Sequence, residues 1–407
     1  MLRTGGSVRS SWWAGIALGL LALNLRTFVG SVGVVLPEVR TSLAMTVTTA
    51  AVVTTLPVLV FALAGPVAPR LVARIGLRGC ALGCLGVLVL ALVARSFATT
   101  TWWFVAMTAL APSAVAVGNI ILPAAAQQFF PRRVALAASV ATVLAVLGGA
   151  ISSATTVSLA QLGGSWRLGL GGWGLLAGLG FLVWVLMPRR RSRSPGVVPA
   201  GTRWSEFARA PMAWAMALVF AAQSMSAYVG FGWLAEIYRS GGAGPVQAGW
   251  LVGVWSLLGV PTGLAVPALL RHRGGGAWMP WLWAVTGAAG WLGLGLFPGH
   301  LVWVWTILLG VASGAFPWIM TMIALRGGSL THTAQLSGFV QTVGYLVAVV
   351  GPFGVGALHG VSGNWTVPLI VVALVTATMG PAGARVVAGH SSPPSTGESN
   401  PGQRAAG

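Results

Sequence analysis

Negative charge is nearly absent from this chain. Among 407 residues there are four carboxylates, all glutamate (Glu38, Glu206, Glu236, Glu398), with no aspartate and no lysine. Charged residues make up 7% of the chain, against roughly 25% in soluble domains, so a water-soluble globular fold is excluded. Two cysteines, Cys80 and Cys84, stand one helical turn apart with no histidine or carboxylate beside them. That excludes a disulfide framework and argues for packing instead of metal binding. There is no phosphate-cradling glycine loop, no catalytic triad and no metal-ligand constellation. Neither an enzyme nor a cofactor-dependent protein is expected, and ATP-driven pumping by this chain alone has no residues to support it.

What is present is apolar. Hydrophobic residues are 56% of the chain and the mean hydropathy is +0.85. Twelve apolar runs predict an all-α integral membrane protein, with spans near 12–36, 46–68, 79–94, 102–126, 134–160, 168–187, 212–237, 246–270, 277–297, 301–325, 333–357 and 366–386. The net charge of +19 comes from arginines scattered between these runs. Such scatter speaks for membrane topology and not for nucleic acid. With the N-terminus in the cytoplasm, 18 arginines fall on the cytoplasmic side and four outside, leaving Arg26 within a span. The expectation is a multi-pass plasma-membrane protein with both termini cytoplasmic. The run near the N-terminus is too long for a signal peptide, lacks a convincing cleavage site, and is read as a retained first helix.

The longest cytoplasmic loop, 188–211, is basic, rich in proline and serine, and without helical periodicity. It is read as a linker between a six-helix bundle over 1–187 and a second over 212–386, with a disordered cytoplasmic tail at 387–407. The halves resemble each other. VLPEVR at 35–40 matches LAEIYR at 234–239, Pro69-to-Arg74 matches Pro267-to-Arg271, and Gly164-Ser165-Trp166 matches Gly363-Asn364-Trp365. The common offset is about 198 residues, which suggests two parallel pseudo-repeats.

Arg26 is the most informative single residue. It lies in LALNLRTFVGSVGVVLPEVR (21–40), roughly 18–20 Å from either end of its span. Arginine stays charged at every relevant pH, and a mid-membrane cation costs at least about 2.5–3.5 kcal/mol on insertion scales. It must face a protein interior or a water-filled cavity, yet no carboxylate sits at mid-span. Either neutral groups satisfy it as a structural residue, or its counter-charge arrives with a ligand. Other polar groups within spans are Asn24, Asn119, Gln223, Tyr228, Gln341 and Tyr345. At the 198-residue offset Arg26 corresponds to Ser224, beside Gln223. Ser337, Gln341 and Tyr345 follow i, i+4, i+8 on one helical face. Each could bond across helices or line a cavity.

The loop PRLVARIGLR at Pro69–Arg78 resembles the loop motif G-x-L-x-D-R-x-G-R-R of the major facilitator superfamily: Leu71, Arg74, Gly76 and Arg78 match, while Ala73 stands in place of Asp and Pro69 in place of the first Gly. Within that superfamily the chain resembles the cyanate / 2-nitroimidazole transporter family, through segments 21–40, 54–71, 118–136, 220–238 and 336–369. The resemblance implies twelve transmembrane helices in two six-helix repeats, and a substrate site at mid-membrane facing spans 1, 4, 7 and 11. It carries a site role to Asn24, Arg26, Gln223, Tyr228, Gln341 and Tyr345, and a gating role to the loop motif that the missing Asp puts in question. The implied function is secondary transport of a small anionic or polar solute by alternating access, by a monomer whose partners are that solute and the lipid bilayer. A channel, or a substrate sensor without active transport, is the alternative.

Overall fold

The computed structural model describes residues 5–64, 68–187, 204–272, 276–327 and 330–388. Every regular element among them is a helix. In the first half, span 1 consists of α1 (Gly5–Val34) and the short α2 (Leu36–Ser42). Spans 2 to 5 are α3 (Val47–Ala64), α4 (Ala68–Ser96), α5 (Thr101–Phe129) and α6 (Val134–Leu162), and span 6 is α7 (Trp166–Gly171) with α8 (Trp173–Leu186). The short α9 (Trp204–Arg209) precedes the second half. There span 7 is α10 (Pro211–Ser240), span 8 is α11 (Pro245–Leu257) with α12 (Gly259–His272), and span 9 is α13 (Met279–Leu296). Span 10 is α14 (Val302–Ala312) with α15 (Ala315–Arg326), span 11 is α16 (Leu330–Ala348) with α17 (Val350–Ser362), and span 12 is α18 (Thr366–Ala377) with α19 (Met379–Ala388). Ten of the spans are long and apolar enough to cross a bilayer by themselves, and the second is a shorter apolar helix, Val47–Leu63. The 18 residues of α13 rise about 27 Å and complete the twelve.

The paired helices have a chemical cause. Five of the breaks fall just ahead of a proline: Pro37 in α2, Pro261 in α12, Pro317 in α15, Pro352 in α17 and Pro381 in α19. Proline offers no N–H and its ring collides with the carbonyl four residues earlier, so the helix opens in the preceding turn. The break between α7 and α8 at Gly172 has no proline behind it. The span expected at 79–94 starts just after Gly76: α4 runs on from Ala68 through the loop motif but kinks there, where φ is 70°. A glycine tolerates that angle where other residues are strained. The linker expected at 188–211 contains α9, and α10 starts at Pro211, the favoured first-turn position for proline. Positions 188–203 and 389–407, most of the linker and most of the tail, lie outside the described residues.

Three apolar cores organise the bundle. One is confined to the first half (Leu18, Leu25, Leu85, Ile121, Trp184 among others) and lies toward the chain termini. A second occupies the corresponding part of the second half (Met216, Phe220, Trp283, Trp318, Val340). The third lies at the opposite end and is shared, joining Val35, Val53, Phe104 and Val157 of the first half to Val229, Trp233, Leu251 and Val355 of the second. The halves are fused at the end away from the termini and keep separate cores at the other. Glycines make the fused end tight. A Cβ at Gly249 or Gly253 of α11 would stand 2.8 or 2.9 Å from the α6 carbonyls of Ser153 and Ala150. Between lipid-embedded helices, such small residues permit the close approach that dispersion needs.

Candidate functional site

Arg26 sits on α1 where the shared core gives way to the separate ones. Its stem lies against α6: a Cβ on Gly149 would be 3.2 Å from the Arg26 Cβ and 3.5 Å from Ser256 Oγ of α11. The residue is half-buried. Among the described residues no hydrogen bond or ion pair reaches its guanidinium. The groups within reach of its charge are the phenols of Tyr228 on α10 and Tyr345 on α16, which also interact with each other. Their rings meet edge-on with centroids 6.4 Å apart. Phe61 of α3 packs on both, at 6.3 Å from Tyr228 and 5.9 Å from Tyr345. Phe220 closes on Tyr345 at 4.9 Å, nearly perpendicular. Both halves therefore contribute. Arg26, Phe61 and Gly149 come from the first, and Tyr228, Ser256 and Tyr345 from the second.

The other expected residues separate into those near this cluster and those elsewhere. Asn24 is fully buried and turns away, donating to the carbonyls of Leu20 at 2.8 Å and Leu176 of α8 at 3.3 Å. Two residues along a helix is a rotation of about 200°, so Asn24 and Arg26 cannot share a face. Asn24 ties α1 to α8 within the first half. Gln223 is 7% exposed and donates to its neighbour Ser224 at 2.8 Å. Gln341 donates to Ser337 at 2.7 Å, one turn along the α16 face that carries Tyr345. Neither holds Arg26. Asn119 is exposed on α5, and no contact links it to the cluster.

In the loop motif, Leu71 and Arg74 are exposed and Gly76 forms the kink. Arg78 donates to Val185 O at 2.8 Å and to Met187 O, so it ties the start of span 3 to the carbonyl end of α8. A cation at a helix C-terminus is favourably placed. The contacts present are those of a structural clamp within one half. Phe61, Gly149 and Ser256 were not singled out from sequence. Phe61 lay inside one of the segments quoted for the family resemblance, and Ser256 was one more hydroxyl in an apolar run.

These features define a polytopic helical protein of two parallel six-helix halves, with an aromatic cluster and a cation unpaired among the described residues at their seam. The chain belongs to the Major Facilitator Superfamily, whose family model matches residues 16–352. It is 32% identical over 366 residues to the 2-nitroimidazole transporter of Escherichia coli (strain K12), covering 88% of this chain and 91% of that one. It is 25% identical over 376 residues to the cyanate transport protein CynX of the same organism, covering 89% and 96%. The fold matches the crystal structure of the nucleoside transporter NupG with a TM-score of 0.76 at 10% identity, over 93% of this chain and 98% of that one. The chain is a membrane transporter of this superfamily.

Proposed function

We propose that the protein carries a small planar solute with a negative or electron-rich end, cyanate-like or nitroimidazole-like, by alternating access across the plasma membrane. In this reading it works as a monomer with both termini in the cytoplasm. The observation that carries the reading is the Arg26 guanidinium: a permanent cation at mid-span, at the seam of the halves, without a hydrogen-bond or ion-pair partner among the described residues. A planar guanidinium offers paired donors to a carboxylate-like or nitro group, and an aromatic cluster beside it offers ring faces and edges to an apolar body. Two relatives whose names specify cyanate and 2-nitroimidazole support the same chemistry. The shared core at one end favours a carrier over a channel, since a pore needs a path open at both ends.

The test is a thermal-shift screen of the purified protein with small anions and nitroimidazoles, followed by counterflow in proteoliposomes loaded with the stabilising compound. Stabilisation by such a compound and saturable counterflow are expected. Unsaturable flux without counterflow would establish a channel, and stabilisation confined to cations or neutral sugars would refute the substrate class.

A further inference from the structure

Two of the chain's four carboxylates meet two arginines at the fused end. Arg40 Nη1 of α2 lies 2.7 Å from Glu236 Oε1 of α10, hydrogen-bonded as well as ion-paired. Arg239 Nη1 of α10 lies 2.9 Å from Glu38 Oε1 of α2. Each half gives one acid and one base, and each acid takes its base from the other half. The side chains are between 17% and 35% exposed. The ring lies at the end opposite the chain termini, about 12 residues, or roughly 18 Å, along α1 and α2 from Arg26. Directly beneath it, Gly33 of α1 approaches the Phe231 carbonyl of α10 so closely that a Cβ would collide with it.

We infer that Glu38, Arg40, Glu236 and Arg239 form a reciprocal latch that closes one mouth of the transport path and directs the Arg26 site toward the end carrying the termini. The inference rests on reading the chain as an alternating-access carrier. Nothing else in the ring calls for these charges. A lone pair within one half would steady that half alone, whereas exchanged pairs bind the halves to each other and must part before this mouth opens. The pairs are only partly shielded from solvent, so each contributes modestly. A latch of this strength holds a resting state and still yields to substrate. The reciprocal arrangement also gives partial redundancy, because removing one acid leaves the other pair in place.

Opening is read by thiol accessibility. In a Cys80→Ala/Cys84→Ala background, Val29→Cys places a reporter one turn beyond Arg26 toward the latch. An impermeant maleimide is applied from the side on which Gly242→Cys reacts. The Glu38→Gln/Glu236→Gln double variant is expected to label about five- to thirtyfold faster than its parent, and each single variant less. The charge exchange Arg40→Glu/Glu236→Arg should return labelling to the parent rate. In the parent itself, raising sodium chloride from about 0.05 M to about 0.5 M should speed labelling, because the pairs are partly exposed and to that extent screened. This last measurement needs no variant of the latch to fold. Labelling that ignores both neutralisation and salt would overturn the latch, as would an exchange variant that labels as fast as the neutralised one. Labelling needs no substrate. Normal anion affinity in an Arg26 variant would therefore sink the site and leave the latch standing.

Discussion

Replacing Arg26 separates a ligand-binding cation from a structural one, and the structure sets the expected size of the effect. Among the described residues, removing the guanidinium breaks no protein hydrogen bond, and its stem lies against Gly149 of α6. Arg26→Gln therefore leaves no orphaned protein partner behind and should cost the fold little. Its substrate loses a charge-assisted contact, on the order of 1.5–3 kcal/mol, which is about 10- to 150-fold in affinity. Arg26→Lys keeps the charge but loses the planar pair of donors, so its affinity should fall between the two. The assay is ligand-dependent thermal stabilisation, with Kd fitted per folded molecule and the ligand-free Tm taken from the same preparation. Expected are near-parental Tm values and a graded loss of affinity from Arg to Lys to Gln. A stable Arg26→Gln protein with parental affinity would refute the substrate role. A large fall in Tm with unchanged affinity would make Arg26 a structural residue.

The glycines at two close approaches should behave differently under the same substitution. Gly148→Ala drives a Cβ into the Leu23 carbonyl within one half, so overpacking of about 1–3 kcal/mol should appear as a lower Tm. Gly33→Ala meets Phe231 of the other half, so its cost should fall on the latched state and appear as faster labelling of Val29→Cys; equal Tm losses without faster labelling would refute that division. For topology, Ser194→Cys in the basic linker and Gly242→Cys in the loop after α10 should react with an impermeant thiol reagent from opposite sides. Reaction of both from one side would refute cytoplasmic termini.

Much of the architecture was legible because lipid imposes it. A bilayer requires apolar runs of a fixed length, and the twelve expected spans correspond to the twelve observed. The breaks inside the spans were less legible, although their cause lies in the sequence. Pro261, Pro317, Pro352 and Pro381 each open the helix ahead of them, while Pro57, Pro112 and Pro123 sit within continuous helices. What decides between the two outcomes is whether neighbouring groups satisfy the freed carbonyl, and that is a tertiary property. Asn24 shows a different limit. It lies two residues from Arg26 but not on its face, and nearness along a helix does not say which way a side chain turns. The latch shows a third. VLPEVR and LAEIYR were visible as a repeat, but the repeat relates each segment to its counterpart by pseudo-symmetry. It says nothing of contact across the axis, where Glu38 finds Arg239 and Arg40 finds Glu236.

The scarcity of carboxylates distinguishes the chain's arginines from one another. Among the described residues two acids are committed to Arg40 and Arg239 at the latch and Glu206 lies in α9, outside the spans, so an arginine inside the bundle draws on other sources of negative potential. Arg95 is fully buried and is answered only in part: it occupies the last turn of α4, where the carbonyl end of the helix carries partial negative charge, and donates to Ser31 Oγ at 3.0 Å, while its Nε and Nη1 have no hydrogen-bond partner among the described residues. Arg78 and Arg326 reach helix ends directly, donating to the carbonyls of Val185 at the end of α8 and Val386 at the end of α19. Arg26 has no such recourse. It lies in mid-helix, the side-chain amides of Asn24, Gln223 and Gln341 donate elsewhere, and among the described residues only the neutral phenols of Tyr228 and Tyr345 stand within reach of its charge. A cation placed where neither acid nor helix end can answer it, and at the seam of two halves that must part, has the electrostatics of a site completed by its cargo. Loading that cargo would lower the cost of burying the charge, and so would favour whichever state encloses Arg26 most fully.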